Sequence, residues 1–301
     1  MKNYLISVCW VILLLFGGCQ AKKDSIHIAT KPMTEQFILG EMLRLLIEEN
    51  TDLKVIVTKG IGGGTSIIHP AMLKGKFDLY PEYTGTGWLM VLKKDSLPPA
   101  QELYEQLQEE YLQKYGLSWI APYGFNNAYG LAVNEEQART YGLHKISDLT
   151  RYPEEFTFGA EYDFFEREDG YPALCRCYDL TFKNNRDMDI GLKYEAIKSG
   201  KVDVMNIFTT DGQLTHANLR ILEDDKHFFP SYYCATVVRT SVLEEHPELK
   251  KALEKMDGIL TDNEMAELNY QVDIEGQTEQ EVARNFLVKK GKLEREMIND
   301  R

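Results

Sequence analysis

Apolar positions along the chain switch between two periods, and the switching outlines the fold. The run IHIA (26–29) reads as a short buried strand. It leads into TEQFILGEMLRLLIEE (34–49), where Phe37, Ile38, Met42, Leu45 and Leu46 recur at helical spacing. LKVIVTK (53–59) returns to a strand pattern, GIGGGTS (60–66) makes a turn, IIHPAMLK (67–74) is helical, and FDLY (77–80) is a strand again. A helix is predicted from about Pro99 to Tyr115. Strands are predicted at YGLAV (129–133), TFGAEY (157–162), KVDVMNIF (201–208), LRILEDD (219–225) and YYCATVVR (232–239). From Leu243 the pattern is mostly helical, and the charged stretch after Lys289 reads as a solvated helix or a frayed tail. Strands alternating with helices predict an α/β fold with crossover connections.

The first residues obey a different logic. MKNYLISVCWVILLLFGG (1–18) has a basic start at Lys2, an apolar run from Tyr4 to Phe16 and two small residues before Cys19. That is the layout of a secretory signal peptide, and the apolar run is short for a bilayer span. Gly17-Gly18-Cys19 also resembles a bacterial lipobox, which makes Cys19 the expected site of lipidation. The formal net charge is −13, and loss of Lys2 with the signal makes it one unit more negative. An acidic surface repels phosphate backbones, so no nucleic-acid partner is expected. The chain beyond Cys19 is too long for one small core and suits two lobes. Cys175, Cys177 and Cys234 lack zinc spacing and read as free thiols, with a bridge from Cys234 to one of the pair left open.

One internal similarity stands out. LKGKFDLYPEYTGT (73–86) and IKSGKVDVMNIFTTDG (197–212) align on Gly-Lys-x-Asp, which matches Asp78 to Asp203, Tyr83 to Phe208 and Thr84 to Thr209. Each copy reads as a helix end, a glycine, a strand, and an aromatic-Thr pair just beyond. Ligands bind at the carboxyl edge of strands in open α/β sheets, so two lobes would each present a ring there.

Familiar catalytic patterns find no support. GIGGGTSII (60–68) lacks the Lys of a nucleotide-binding P-loop and reads as a tight strand-to-helix turn. No G-x-S-x-G elbow is present, the six histidines are scattered, and His69 before Pro70 reads as structural or exposed. Asp187-Met188-Asp189 and Asp224-Asp225 lack the rest of a calcium loop, so no metal site and no cofactor is predicted. There remains a set of rings at predicted strand ends: Tyr83, Tyr129, Phe208 and Tyr232. Aromatic faces attract a quaternary ammonium at roughly 0.5–2 kcal/mol each. Several faces are needed because such a cation has no N–H to donate.

TKPMTEQFILGEM, DLYPEYTGTG, PYGFNNAYGLAV, FGAEYDFFEREDGY, TTDGQL and LEDDKHFFPSYY together resemble the substrate-binding component of ABC importers for glycine betaine, carnitine and choline, of the OpuC and ProX type. The resemblance runs in order from about Ile26 to beyond Leu249. It implies a type II periplasmic-binding-protein fold, two lobes that close on a ligand in the cleft between them. It places the cage on Tyr83, Tyr129, Phe208 and Tyr232, with Phe at a position where family members often have Tyr. It places the carboxylate end of a betaine on Lys31, Thr86 and Arg167, with Gln36 as a further candidate. The usual SKNFTEQ of the family stands here as TKPMTEQ, which keeps Lys31 and changes its loop.

These readings combine into a lipid-anchored, extracytoplasmic receptor that delivers a quaternary ammonium osmolyte to an ABC permease and its ATPase. Glycine betaine or carnitine is favoured and choline is open, because a guanidinium and an ammonium suit a carboxylate. Lobe 1 is expected over 24–126 plus 232–301 and lobe 2 over 127–231. A sensing receptor of the same fold and an enzyme on it are the alternatives. Within LYPEYTGTGW (79–88), Tyr83 goes to the cation and Thr86 to the carboxylate, Pro81 and Gly85 make the turn, and Tyr80 and Trp88 pack beneath.

Overall fold

The structure, a computed structural model, describes residues 25–214, 217–229 and 231–294. The predicted signal peptide, Cys19 and the end of the charged tail lie outside the described residues. Strand β1 (Ser25–Ala29) leads to helix α1 (Thr34–Asn50), β2 (Lys54–Thr58), α2 (Thr65–Leu73), β3 (Leu79–Tyr83), α3 (Ala100–Tyr115) and β4 (Leu117–Asn126). The next section holds β5 (Tyr129–Asn134), α4 (Glu135–Tyr141), β6 (Thr157–Ala160), α5 (Tyr162–Glu166), α6 (Tyr171–Tyr178), β7 (Asn184–Asp187), α7 (Lys193–Lys198), β8 (Val204–Phe208) and β9 (Leu219–Leu222). The chain ends in β10 (Tyr233–Arg239), α8 (Thr240–Glu245), α9 (Pro247–Leu253), α10 (Asp262–Asp273) and α11 (Glu279–Lys289).

The strands form two five-stranded sheets, ordered β2-β1-β3-β10-β4 and β7-β6-β8-β5-β9. In each, three strands run parallel and the fourth turns antiparallel against the third. The matched segments occupy equivalent places, since β3 and β8 are the central strands. Gly75 and Gly200, at the preceding turns, both take positive φ, the conformation glycine adopts without a Cβ clash. The Asp78 N–H donates to the His27 carbonyl, and its carboxylate accepts the His27 N–H, each at 2.8 Å. Asp203 makes the same pair of 2.8 Å bonds to Thr157. The Gly-Lys-x-Asp similarity is therefore structural: each aspartate pins a central strand to its parallel neighbour.

The amphipathic pattern of α1 seats Ile38, Leu39, Met42, Leu45 and Leu46 on one face of the first sheet, against Leu253, Met265 and Phe286. Met72, Trp88, Leu107, Tyr111 and Trp119 fill its other face. Phe158, Phe164 and Leu174 cover one side of the second sheet, Tyr194, Ile197 and Ile207 the other. His69 is buried edge-on to Tyr111 and Tyr115, and burial lowers its pKa. Cys175, Cys177 and Cys234 are all unpaired, and Cys177 is exposed.

Two strands escaped the sequence reading. In β4 the alternation is broken where Ala121 and Gly124 take positive φ and the register against β10 shifts. In β7 the residues Asn-Asn-Arg-Asp are all exposed on a sheet edge, so they carry no apolar pattern. Pro81 is also placed differently from expectation. It lies within β3, paired with Thr236, and the turn begins only at Thr84. Proline is tolerated there because pairing between β3 and β1 is confined to Leu79.

Candidate functional site

Sheet membership changes between Asn126 and Tyr129 and changes back before Tyr233. The two crossings are bonded together. The Tyr232 N–H donates to Asn126 Oδ1 (2.6 Å), and the Asn127 N–H donates to the Tyr232 carbonyl (3.1 Å). Thr209 ties in as well, donating to the Asn126 carbonyl (3.1 Å) and accepting from the Ala128 N–H (3.0 Å). Strand ends β3, β5 and β8 converge beside this junction on a cavity of about 390 Å³.

Seven of the eight predicted ligand-binding residues line that cavity: Lys31, Tyr83, Thr86, Tyr129, Arg167, Phe208 and Tyr232. Tyr129 is the hub of the rings, with centroids 5.0 Å from Phe208 and 5.6 Å from Tyr232, the latter edge-on. Phe164 and Phe229 back it at 5.1 and 6.2 Å. Tyr83 stands apart. Its hydroxyl donates to Glu35 Oε1 (2.5 Å) and accepts from Gln36 Nε2 (3.0 Å), while Lys31 Nζ lies 4.6 Å from its ring centroid. Gln36, the eighth residue, is fully buried behind Tyr83, where Oε1 also accepts the Lys31 N–H (3.3 Å).

Both predicted cations already have carboxylate partners. Lys31 Nζ is 2.5 Å from Glu82 Oε1, and the other Glu82 oxygen accepts the Thr65 hydroxyl (2.7 Å). Arg167 grips Asp169 with two parallel bonds, Nε to Oδ1 (2.9 Å) and Nη2 to Oδ2 (2.6 Å). Neither flanking glutamate of Arg167 takes part, and only 10% of the Arg167 side chain is exposed. Its Nη1 points across the cleft to the Thr86 hydroxyl at 3.5 Å. Arginine has five N–H groups, so donors remain for a ligand anion at that edge.

The sequence reading missed the polar residues that build the site from behind. Glu82 is a fully buried charge in the five-residue buried strand LYPEY, a position that demands a cationic partner. Glu35 is equally buried and collects three donors: the Tyr83 hydroxyl, Asn127 Nδ2 (2.8 Å) and the Thr210 hydroxyl (2.6 Å). Lys193, with no exposed surface, bonds Glu161 (3.2 Å) and the Asn206 carbonyl (3.2 Å), and its Nζ lies 4.6 Å from the Phe208 centroid. Among the described residues no group of His, Cys, Asp or Glu is arranged to hold a metal ion.

Two lobes, a ring-lined cavity between them and donors at one end of it define a binding protein for a small, partly apolar ligand. Comparison with known proteins makes the class specific. Residues 24–289 match the family model described as the substrate binding domain of ABC-type glycine betaine transport systems, and the chain belongs to that family. It is 43% identical over 88% of its length to the ergothioneine transport permease/ergothioneine binding protein EgtU of Helicobacter pylori, and it spans 47% of that protein. It is 35% identical to the carnitine transport binding protein OpuCC of Listeria monocytogenes, covering 98% of this chain and 99% of that one. A solved structure described as a glycine betaine/carnitine/choline ABC transporter matches with a TM-score of 0.72 and 32% identity, over 89% of this chain and 99% of the other. The chain thus carries the substrate-binding domain of an ABC transport system; substrate-binding proteins of this family are extracytoplasmic and interact with permease and ATPase components. No helix among the described residues is long and apolar enough to cross a membrane.

Proposed function

We propose that the protein captures a carboxylated quaternary ammonium compound, glycine betaine or carnitine before choline, and hands it to its permease without chemical change. The observation that carries this reading is the convergence of Tyr83, Tyr129, Phe208 and Tyr232 on one cavity that Thr86 and Arg167 also line. The rings take the ammonium, and Arg167 Nη1 with Thr86 takes the carboxylate. Lys31 adds positive potential tempered by Glu82, and Gln36 fixes the Tyr83 hydroxyl. The lobes are assigned to 24–126 plus 232–301 and to 127–231, in keeping with which strands enter which sheet. Closure of the two around the ligand excludes water and strengthens both ends of the grip. The 43% identity to an ergothioneine-binding relative supports a second ligand of the same chemical class, a betaine with a heterocyclic body.

Isothermal calorimetry against glycine betaine, carnitine, choline, ergothioneine and proline tests this. Binding of a trimethylammonium compound is expected and binding of proline is not; a protein that bound only proline would overturn it. Cys19 is assigned as the lipidated anchor, on the motif Gly17-Gly18-Cys19. Cys19→Ala is expected to release the protein from membranes, and continued membrane association would reject the anchor.

A further inference from the structure

The charges around the cavity do not cancel. Lys31 is paired with Glu82, Arg167 with Asp169 and Lys193 with Glu161, so three cations and three carboxylates neutralise one another. Asp163 and Glu166 are left over, and of the two Glu166 is exposed to water while Asp163 is not. Asp163 lines the cavity half-buried, and among the described residues no hydrogen-bond donor or cation partners its carboxylate. Its Oδ2 faces Gly64 across the cleft, 3.5 Å from where a Cβ would stand on that glycine. The positive φ of Gly64 leaves that residue without a side chain; the stem of Lys31 passes the same spot, but its ammonium is bonded to Glu82, so no hydrogen bond from the first sheet reaches the carboxylate. A second acceptor lies on the same cavity: Asn127 Oδ1 is buried without a partner, its Nδ2 being committed to Glu35.

An aromatic cage needs none of this, because a quaternary ammonium has no hydrogen to give. Glycine betaine has none anywhere outside its methyl and methylene groups. A closed cavity holding it would strip water from Asp163 and return the ammonium's attraction but no hydrogen bond, whereas a hydroxyl or ring N–H on the ligand would restore the lost bond. Sites built to receive a hydrogen bond reject the analogue that lacks it far more strongly than apolar pockets reject a missing methylene.

We propose that Asp163 accepts a hydrogen bond from an O–H or N–H group of the ligand, so that the protein selects quaternary ammonium compounds carrying such a donor over glycine betaine. The inference rests on the quaternary ammonium reading above and narrows it. Burial, and then Glu161, push the Asp163 pKa up, while Lys31 and Arg167 oppose the rise; a donor from the ligand would favour the ionised form in the same way.

The test is calorimetry with two ligand pairs, carnitine against its 3-deoxy analogue and N-trimethylhistidine against glycine betaine, on wild type, Asp163→Ala and Asp163→Asn. In wild type the donor-bearing member of at least one pair should bind at least tenfold more tightly. Asp163→Ala should erase that preference, weakening the donor-bearing member at least tenfold more than its counterpart, and Asp163→Asn, which keeps a carbonyl acceptor, should retain part of it. Equal affinities within both wild-type pairs overturn the inference, as does an equal loss for both members in Asp163→Ala. If wild type binds glycine betaine and the pairs do not differ, the quaternary ammonium reading stands and the role of Asp163 falls. If no trimethylammonium compound binds, both fall together.

Discussion

The Thr210 hydroxyl, in the loop after β8, donates across 2.6 Å to Glu35 Oε2 in the first turn of α1. A single fully buried carboxylate thereby joins the second sheet's loop to Tyr83 of the first sheet and to Asn127 at the crossing. Burial pushes the Glu35 pKa up; the bonds from Thr210, Tyr83 and Asn127 pull it back without restoring it, and Asp211 adds to the rise. A raised carboxylate pKa in the folded state means that stability is present at low pH and is lost as pH rises through the ordinary carboxylate value toward the folded one. Glu35→Gln keeps an acceptor and removes the titration. The melting temperature of wild type relative to Glu35→Gln should therefore fall, by at least ~2 °C, as pH rises from about 4 to about 8. Asp211 and Asp273, whose pKa values burial also raises, remain in both proteins, which is why the difference is the quantity to measure. A gap that stays constant with pH would mean that Glu35 does not titrate in this range.

Lys31 offers a second test, because its pairing with Glu82 makes structure and binding separable. Glu82 has no exposed surface, and removing its cation leaves a buried charge held only by neutral donors. Breaking a buried pair from one side costs about 3–5 kcal/mol, while replacing both members is often near neutral. Lys31→Met should destabilise the fold on that scale, and Lys31→Met with Glu82→Gln should recover most of the loss in chemical denaturation. A ligand affinity that stays within about threefold of wild type in the double variant would assign Lys31 to the scaffold rather than to the carboxylate.

How the sequence conveyed the site depends on which residues act alone and which act in pairs. Tyr83, Tyr129, Phe208 and Tyr232 were legible because each stands at the end of a strand that its own neighbours announce. The match of Asp78 to Asp203 was legible because the same local device, an aspartate pinning the adjacent strand, recurs with the same spacing. Glu82 and Lys31 are 51 positions apart, and Thr210 is 175 from Glu35, so no local pattern ties either pair. Arg167 illustrates the opposite hazard. Its immediate neighbours Glu166 and Glu168 offer ion-pair partners, yet its partner is Asp169, and it is covered from the opposite lobe and the crossing, where Thr86 and Tyr232 lie. Asp163 was hidden among abundant carboxylates; only the pairing of Glu161 and Asp169, and the exposure of Glu166, set it apart.

Arg167 is predicted to discriminate the anionic end of the ligand. Its Nη1 meets the Thr86 hydroxyl at 3.5 Å on the cavity wall, while Asp169 keeps the guanidinium oriented. Arg167→Ala removes a charge-assisted donor, and such bonds contribute about 1.5–3 kcal/mol. Affinity for glycine betaine or carnitine should fall at least tenfold, and affinity for choline, which has no carboxylate, should fall much less. Equal losses for the two, by calorimetry, would make Arg167 a structural partner of Asp169 and nothing more.

Gly85 gives the most local control over the cage. It sits in the helical turn Thr84–Thr86 directly after β3, with the Tyr232 ring packed on its backbone. A Cβ there would come within 2.6 and 2.7 Å of Tyr232 Cε1 and Cδ1, too close for any real contact, and 3.2 Å from the Ser231 carbonyl. The φ of Gly85 is not positive, so an alanine meets no φ strain and its effect falls mainly on the ring, with a tight contact to the Ser231 carbonyl beside it. Tyr232 cannot yield without leaving its edge-on place against Tyr129, one of the ring contacts that shape the cage. Losing one ring face costs roughly 0.5–2 kcal/mol. Gly85→Ala is therefore expected to weaken binding of a trimethylammonium ligand about as much as Tyr232→Ala does, near tenfold. Tyr232→Ala in the Gly85→Ala background should cost little more, because both changes remove the same wall. Additive losses in that double-variant cycle would show that Gly85 acts elsewhere, and unchanged affinity in Tyr232→Ala would remove Tyr232 from the cage.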